Sequence, residues 1–403
     1  MICVAPKVRF PEFKDSWTPG HAGDAFRSSR AKGAAGLPIY SVTMDRGLVR
    51  RDSLDRHMAA DAADGQNLRA QPGEIVYNMM RMWQGAVGLA PEECMVSPAY
   101  VVLSPKKNTS SQFFDQWFKG QRMLYLLGAY SHGITSDRLR LYADDFARIP
   151  LHLPTLPEQE KIAEFLSSVD AKISALAAKK AKLDRFKSGL MQKLFSRTAR
   201  FNEKNGREFA NWESKAIGSI GTIFGGLSGK SAEDFGEGLP FVTYRQVFED
   251  AVVNYDRCGR VQIDKNERQN RLNCGDVLFT TSSETPGEVG FASVLLEKHE
   301  DLFLNSFCFG LRISQAVILP DFARYLFRSP DYRRSVIKLA QGTTRYNIGK
   351  TEFAKLRLDL PLLPEQRKIA NSMMELDDKI AAVVIQLSRM MEFKKGLLQQ
   401  MFV

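Results

Sequence analysis

Cysteine and histidine are both scarce in this 403-residue sequence, five of each, and neither is arranged for metal or redox chemistry. Cys3, Cys94, Cys258, Cys274 and Cys308 form no C-x-x-C pair, and their odd number speaks against a disulfide framework. His21, His57, His132, His152 and His299 are scattered without ligand spacing, so no metal site is expected. No apolar run approaches the roughly 20 residues a membrane-spanning helix needs. The opening residues include Lys7, Arg9, Glu12, Lys14 and Asp15, where a signal peptide would have an apolar core. A reduced, cytoplasmic protein without a membrane segment is expected.

Catalytic motifs are missing too. Gly225-Gly226-Leu227-Ser228-Gly229-Lys230-Ser231 comes close to a phosphate-binding loop, but Phe224 stands where that pattern requires glycine. It reads instead as a glycine-rich turn presenting Lys230 and Ser231. There is no Asn/Asp-Pro-Pro-aromatic segment to hold a base for methylation and no glycine-rich dinucleotide fingerprint. The chain is read as binding no cofactor and as no catalyst by itself; a self-sufficient nuclease or methyltransferase is the enzyme alternative.

What the sequence does contain is a duplication. L-P-E-Q-x-K-I-A occurs at Leu156 to Ala163 and at Leu363 to Ala370, an offset of 363 − 156 = 207. The same offset, without a gap, carries Asp170 onto Asp377 and Phe186, Lys187, Gly189 and Leu190 onto Phe393, Lys394, Gly396 and Leu397. Upstream, Leu37-Pro38 matches Leu239-Pro240 and Gly73 matches Gly275 at an offset of 202, which also places Gly85, Val87 and Gly88 on Gly287, Val289 and Gly290. The chain is therefore two copies of one unit, each a variable globular region followed by a long helix. Its expected division is 1–153, 154–200, 201–360 and 361–403.

Within the first long segment Leu166, Val169, Ile173, Leu176, Lys180, Leu183, Lys187, Leu190 and Leu194 follow 3,4 spacing, as do their counterparts from Met373 to Met401. Such a stripe is the seam of a coiled coil. Pro157 and Pro364 suit a first helical turn, and Glu158 and Glu365 set negative charge at its positive end. A helix of about 39 residues spans roughly 58 Å. The natural partner of each stripe is the other helix, running antiparallel or parallel; two interior helices of ordinary domains are the plainer arrangement. Gly189 and Gly396 suggest a close crossing, a kink or simple helix ends.

The globular regions read as mixed α/β. Strands are expected at Glu74 to Tyr77, Asp276 to Phe279 and Tyr100 to Leu103, and helices at Phe113 to Leu127 and Asp321 to Leu339. The two copies disagree most after Tyr77 and Phe279. Arg81 and Gln84 can read guanine and adenine edges, whereas Ser282, Ser283 and Glu284 address other bases, Glu accepting from cytosine N4. A second pair of segments, Ser131 to Arg138 and Ala340 to Asn347, surrounds a glycine with hydroxyl and basic residues suited to phosphate, among them His132, Arg138, Thr344, Arg345, Tyr346 and Asn347. Arg30, in Arg27-Ser28-Ser29-Arg30, and Tyr244 and Arg245, in Thr243-Tyr244-Arg245-Gln246, are weaker candidates, as is Lys230. Solvated surface loops fit the same residues. A net charge of 56 − 46 = +10 favours a polyanionic partner.

Across its whole length the chain resembles the specificity subunits of type I restriction-modification enzymes. The resemblance rests on the paired L-P-x-L-P-E-Q-x-K-I-A segments at Leu153 and Leu360, the F-K-x-G-L tails at Phe186 and Phe393, and the opening Arg9-Phe10-Pro11-Glu12-Phe13-Lys14. It implies an α/β (α+β) fold in which two pseudo-symmetric target recognition domains are separated by two long helices forming an antiparallel coiled coil. Each domain would read one half of a split double-stranded DNA target. The helices, with Pro157, Glu158, Gln159, Pro364, Glu365 and Gln366 at their heads, would set the spacing and dock two methyltransferase subunits, with two restriction subunits joining the complex. S-adenosylmethionine, ATP and magnesium would belong to those partners. The competing function is a coiled-coil interaction scaffold without DNA sequence specificity.

Overall fold

A computed structural model describes residues 5–54, 66–135, 137–203, 205–264 and 266–402; Cys3, His57 and Ser136 lie outside the described residues. The chain divides into two compact units. Unit one takes Met1–Ala178 with Val384–Val403, and unit two takes Lys179–Val383. Each unit therefore contains one globular region, the head of one long helix and the tail of the other.

In unit one a four-stranded antiparallel sheet runs in the order Phe26–Ser29, Tyr100–Pro105, Ile75–Asn78, Val87–Leu89. Ile75, Val76 and Tyr77 are all fully buried, which explains an unbroken apolar run. Successive side chains of a strand point to opposite faces, and both faces of this sheet are covered. Ile75 and Tyr77 join a core of aromatic residues that includes Trp17, Phe114 and Phe118, while Val76 packs with Tyr40, Val96 and Val102. In unit two the sheet order is Gly221–Gly225, Cys308–Ile313, Val277–Thr280, Ala292–Val294. Val277 and Phe279 face one core and Leu278 the other, repeating the arrangement.

A two-stranded ladder closes each globular region. Thr18–His21 pairs with Pro150–Leu153, and Glu213–Ala216 with Arg357–Leu360, so the region starts and ends beside the head of its long helix. Those helices are Leu156–Phe195 and Leu363–Gln400.

The expected helices at Phe113 to Leu127 and Asp321 to Leu339 are each two helices. Ser111–Trp117 stops before Gly120, the N-cap of Gln121–Ala129, and Pro320–Leu326 stops before Pro330, which opens Pro330–Ile337. Gly120 has extended backbone angles, and proline is tolerated only in a helix's first turn.

The heptad stripe is buried near the ends of the helices and half-buried between, at Ile173, Leu183, Ile380 and Leu387, and its lysines are paired. In unit one Ile162, Leu166 and Val169 share a core with Leu397 and Met401, and Lys394 donates to both oxygens of Asp170 at 2.6 and 2.8 Å. In unit two Leu194 shares a core with Ile369, Ala370 and Met373, and Lys187 donates to Asp377. Gly189 and Gly396 mark neither close crossings nor helix ends. A Cβ built on either meets nothing within 4 Å, and the helices continue to Phe195 and Gln400.

Candidate nucleic-acid interface

In unit two the segment after strand Val277–Thr280 is held open as a platform. Ser282 and Ser283 pair antiparallel with Asn347 and Tyr346, Ile348 N–H donates to the Thr281 carbonyl at 2.9 Å, and Gln341 bridges Asn347 to close a hairpin. Gly342 turns that hairpin at φ 126°, where a Cβ would strike the Arg345 carbonyl. From the opposite side the helix Tyr244–Glu249, N-capped by Thr243, brings the Tyr244 hydroxyl to the Ser282 carbonyl, to which it donates at 2.5 Å. The result is a cavity of about 450 Å³ lined by Tyr244, Ser282, Ser283, Glu284, Phe307 and Arg345, with Glu288 completing its wall.

The supports of this cavity are half-buried. Burial pushes the Tyr244 hydroxyl pKa up. Arg328 donates to the carbonyls of Val247, Phe248 and Asp250, capping the C-terminal end of the helix that carries Tyr244, and to Ala292 on the sheet. Five donors in a rigid fork suit that task, and burial lowers the pKa of this guanidinium to about 10. Arg333 lies 4.1 Å over the Phe291 ring and donates to the Gly287 carbonyl, fixing the far side of the loop.

Unit one carries the same frame. Leu141 N–H donates to the Met79 carbonyl, and His132 and Arg140 bridge to form the hairpin, with Gly133 packed so closely on Arg138 that a Cβ does not fit. Arg81 and Gln84 stand exposed on the loop, joined by a 3.2 Å hydrogen bond. Arg138 and His132 are exposed, and the His132 ring lies 3.4 Å from the Asp145 carboxylate.

The correspondence between the loops differs from a fixed offset of 202. Ladder register places Val87 opposite Tyr77 and Ala292 opposite Phe279, so this strand is displaced by 292 − 87 = 205. Gly85, at φ 89°, therefore matches Gly290, at φ 65°, rather than Gly287, and the second loop is three residues longer. Gly73 and Gly275 do match, at φ 81° and 94°, in equivalent turns.

Six candidates thus converge in unit two: Tyr244, Ser282, Ser283, Arg345, Tyr346 and Asn347. Thr344 is exposed on the same hairpin. Arg81, Gln84, His132 and Arg138 occupy the matching elements of unit one. Arg30 is exposed just past the edge strand Phe26–Ser29, so Arg27 to Ser29 form a strand and no loop. Arg245 points along its helix to Glu249 at 2.7 Å. Lys230 is not presented by its turn: its ammonium is 2.5 Å from Glu267 with only 6 % of the side chain exposed, and this hydrogen bond raises its pKa.

At the helix heads Pro157 and Pro364 are exposed, but the four polar side chains beside them face inward. Glu158 and Gln159 are 1 % and 2 % exposed, and Glu365 and Gln366 are 1 % and 0 %. Glu158 accepts from Arg9 at 2.6 and 2.8 Å and from the Trp17 indole at 3.1 Å; Glu365 accepts from Arg200 at 3.1 and 2.8 Å and from Trp212 at 3.2 Å. Gln159 accepts from Ser110 N–H and donates to the Asn108 and Pro154 carbonyls, while Gln366 accepts from Leu319 N–H and donates to the Val317 and Pro361 carbonyls. These side chains weld each helix to its own globular region, which leaves them no surface for a partner. The residues that sequence reasoning missed are Arg200, Trp17 and Trp212; the signal was a second Arg-Phe-x-Glu at Arg200 to Glu203, echoing Arg9 to Glu12.

Comparison with known proteins agrees with this duplicated frame. The family model described as type I restriction modification DNA specificity domain matches twice, over residues 21–185 and 210–386. The StySPI specificity subunit of Salmonella potsdam is 23% identical over 330 residues, spanning 77% of this chain and 69% of that protein, and the EcoKI specificity subunit of Escherichia coli K12 gives the same values. Among solved structures, the S subunit of the type I restriction-modification system from M. genitalium superposes with a TM-score of 0.56 at 14% identity, covering 99% of both chains. A chain from a study of assembly and conformational transition of the type I R-M system gives 0.59 at 16% identity, covering 96% of this chain and 97% of that one. With two copies of the domain in one chain, this protein belongs to the type I restriction-modification DNA specificity family.

Proposed function

We propose that the chain is the sequence-reading, non-catalytic subunit of a type I complex and that each globular region reads one half of a bipartite duplex DNA target. The observation that carries this reading is one backbone frame used twice with different side chains: Arg81 and Gln84 in unit one, Ser282, Ser283 and Glu284 in unit two. Base edges are discriminated by side chains, so a common frame with divergent side chains is what two different half-sites require. Regions 1–153 and 201–360 serve as recognition domains and 154–200 and 361–403 as spacers. Uninterrupted helices of 40 and 38 residues, roughly 60 and 57 Å long, support the spacer role. In each unit the early part of one helix shares a core with the late part of the other, which supports antiparallel pairing.

Methylation of the bound DNA falls to two modification subunits that supply S-adenosylmethionine, and cleavage to two restriction subunits that use ATP and magnesium. Because Glu158, Gln159, Glu365 and Gln366 are engaged inside the chain, docking uses exposed residues instead. Phe186 and Phe393, 59 % and 51 % exposed at matching repeat positions, suit two identical partners.

The test is an exchange of residues 1–153 for those of a relative with a different target, followed by sequencing of methylated adenines in cells that hold the modification subunit. One half of the methylated sequence should change while the other half stays. Unchanged sequence, or both halves altered, overturns the assignment.

A further inference from the structure

We infer that the cavity of unit two is the specificity element for a base whose major-groove edge carries an exocyclic amino group, cytosine N4 or adenine N6. This rests on the DNA-reading function proposed above and assigns the chemistry of one of its two sites.

Tyr244 uses its hydroxyl proton on the Ser282 carbonyl, and Ser283 uses its own on Glu288 at 2.7 Å. Both donors are thereby consumed within the wall. Glu284 stands exposed at the cavity, and no described residue donates to its carboxylate. An ionised carboxylate only accepts. Guanine presents O6 and N7 to the major groove and thymine presents O4, all acceptors, whereas cytosine N4 and adenine N6 donate. Glu284 is the acceptor of this cavity with no described donor to it, so it attracts the amino-bearing edges and repels the other two, while the Arg345 guanidinium remains as the cavity's donor.

Three further features mark the cavity as a binding site. The Ser282 hydroxyl is buried, with 7 % of the residue exposed, and has no hydrogen-bond partner. Buried hydroxyls are normally satisfied, so this one is an unmet polar group in the cavity wall. Phe307, 56 % exposed on the same wall, offers an apolar flank to a cytosine C5 edge. Arg345 lies at the same cavity, where a guanidinium can hold the phosphate alongside. In unit one the equivalent loop carries Arg81 and Gln84, a cation and an amide in place of a carboxylate, so the two loops differ in charge and hydrogen-bonding character.

The experiment uses the complex of the full chain with its modification subunit and duplexes carrying the methylated target or each of its single base-pair substitutions. Competition binding at fixed salt should show the unaltered complex discriminating about 5- to 150-fold at each read position, the range of one good base contact. With Glu284→Ala, discrimination should collapse to within about 2-fold at one amino-bearing position of one half-site and persist at every other position, and with Glu284→Gln, whose amide oxygen still accepts, it should weaken less at that same position. Full discrimination retained everywhere in both variants overturns the inference. So does loss of discrimination throughout, which would place Glu284 in the folding of the unit. A complex that fails to discriminate before any substitution refutes the DNA-reading function itself.

Discussion

Removing Glu158 should detach unit one from the head of its own helix. The carboxylate is 1 % exposed and receives three hydrogen bonds, two from Arg9 and one from Trp17, and the Arg9 side chain is only 14 % exposed. Glu158→Ala takes from a largely buried guanidinium the carboxylate that accepts two of its hydrogen bonds. Breaking a buried ion pair from one side costs about 3–5 kcal/mol. Unit one holds 178 + 20 = 198 residues, and for a unit of that size each kcal/mol moves the melting temperature by roughly 2–4 °C. The expected drop is about 6–20 °C in the unit-one transition. Scanning calorimetry would measure it, and hydrogen exchange should show lost protection at residues 5–21 and 150–165. The matching Glu365→Ala should act on unit two, more weakly, because Arg200 is 21 % exposed and its bonds are longer. The double variant Arg9→Met with Glu158→Met removes both charges, and replacing a buried pair by apolar residues is often neutral. Its melting temperature should return to within a few degrees of the parent. A shift below about 2 °C for Glu158→Ala, or a double variant as unstable as the single, would refute the buried pair as the clasp.

Two further outcomes follow from the long helices. Alanine at Gly189 or Gly396 meets no atom within 4 Å and removes a backbone-entropy penalty, so each substitution should stabilise the isolated chain by about 0.5–1 kcal/mol in urea titrations; destabilisation would show an unseen constraint there. Burial pushes the Asp377 carboxyl up, but hydrogen bonds from Lys187 and the Tyr325 hydroxyl, with Arg324 beside them, outweigh it and hold its pKa below the ordinary range. A depressed folded pKa contributes stability that is complete above the unfolded value, about 4, and is lost as pH falls through the folded one. Asp377→Asn should thus lower the urea midpoint at pH 7 and leave it nearly unchanged at pH 2, and an equal loss at both would contradict the linkage.

Much of the architecture was legible because local rules governed it. The 207-residue offset, the heptad stripes and the apolar runs at Ile75 to Tyr77 and Val277 to Phe279 depend on spacing alone, and each became the element it suggested. The loops were located less well. A three-residue insertion between Phe279 and Ala292 is invisible to a fixed offset, and only ladder register showed that Gly290 does the work of Gly85.

The sequence by itself determined that the protein is one unit used twice, that each copy ends in a long helix, and that the variable side chains sit between the copies' shared landmarks. Tertiary structure alone decided which polar residues remain available. Glu158 and Gln159 look like exposed helix-head residues until Arg9, 149 positions away in sequence, closes over the first and the Asn108 and Ser110 backbone over the second. Lys230 looks free until Glu267 takes it, and Glu284 looks no different from any loop glutamate until the Tyr244 and Ser283 hydroxyl protons are seen to be used elsewhere. Periodicity arises from neighbours along the chain and can be read there, whereas hydrogen-bond satisfaction is a property of groups brought together only by folding.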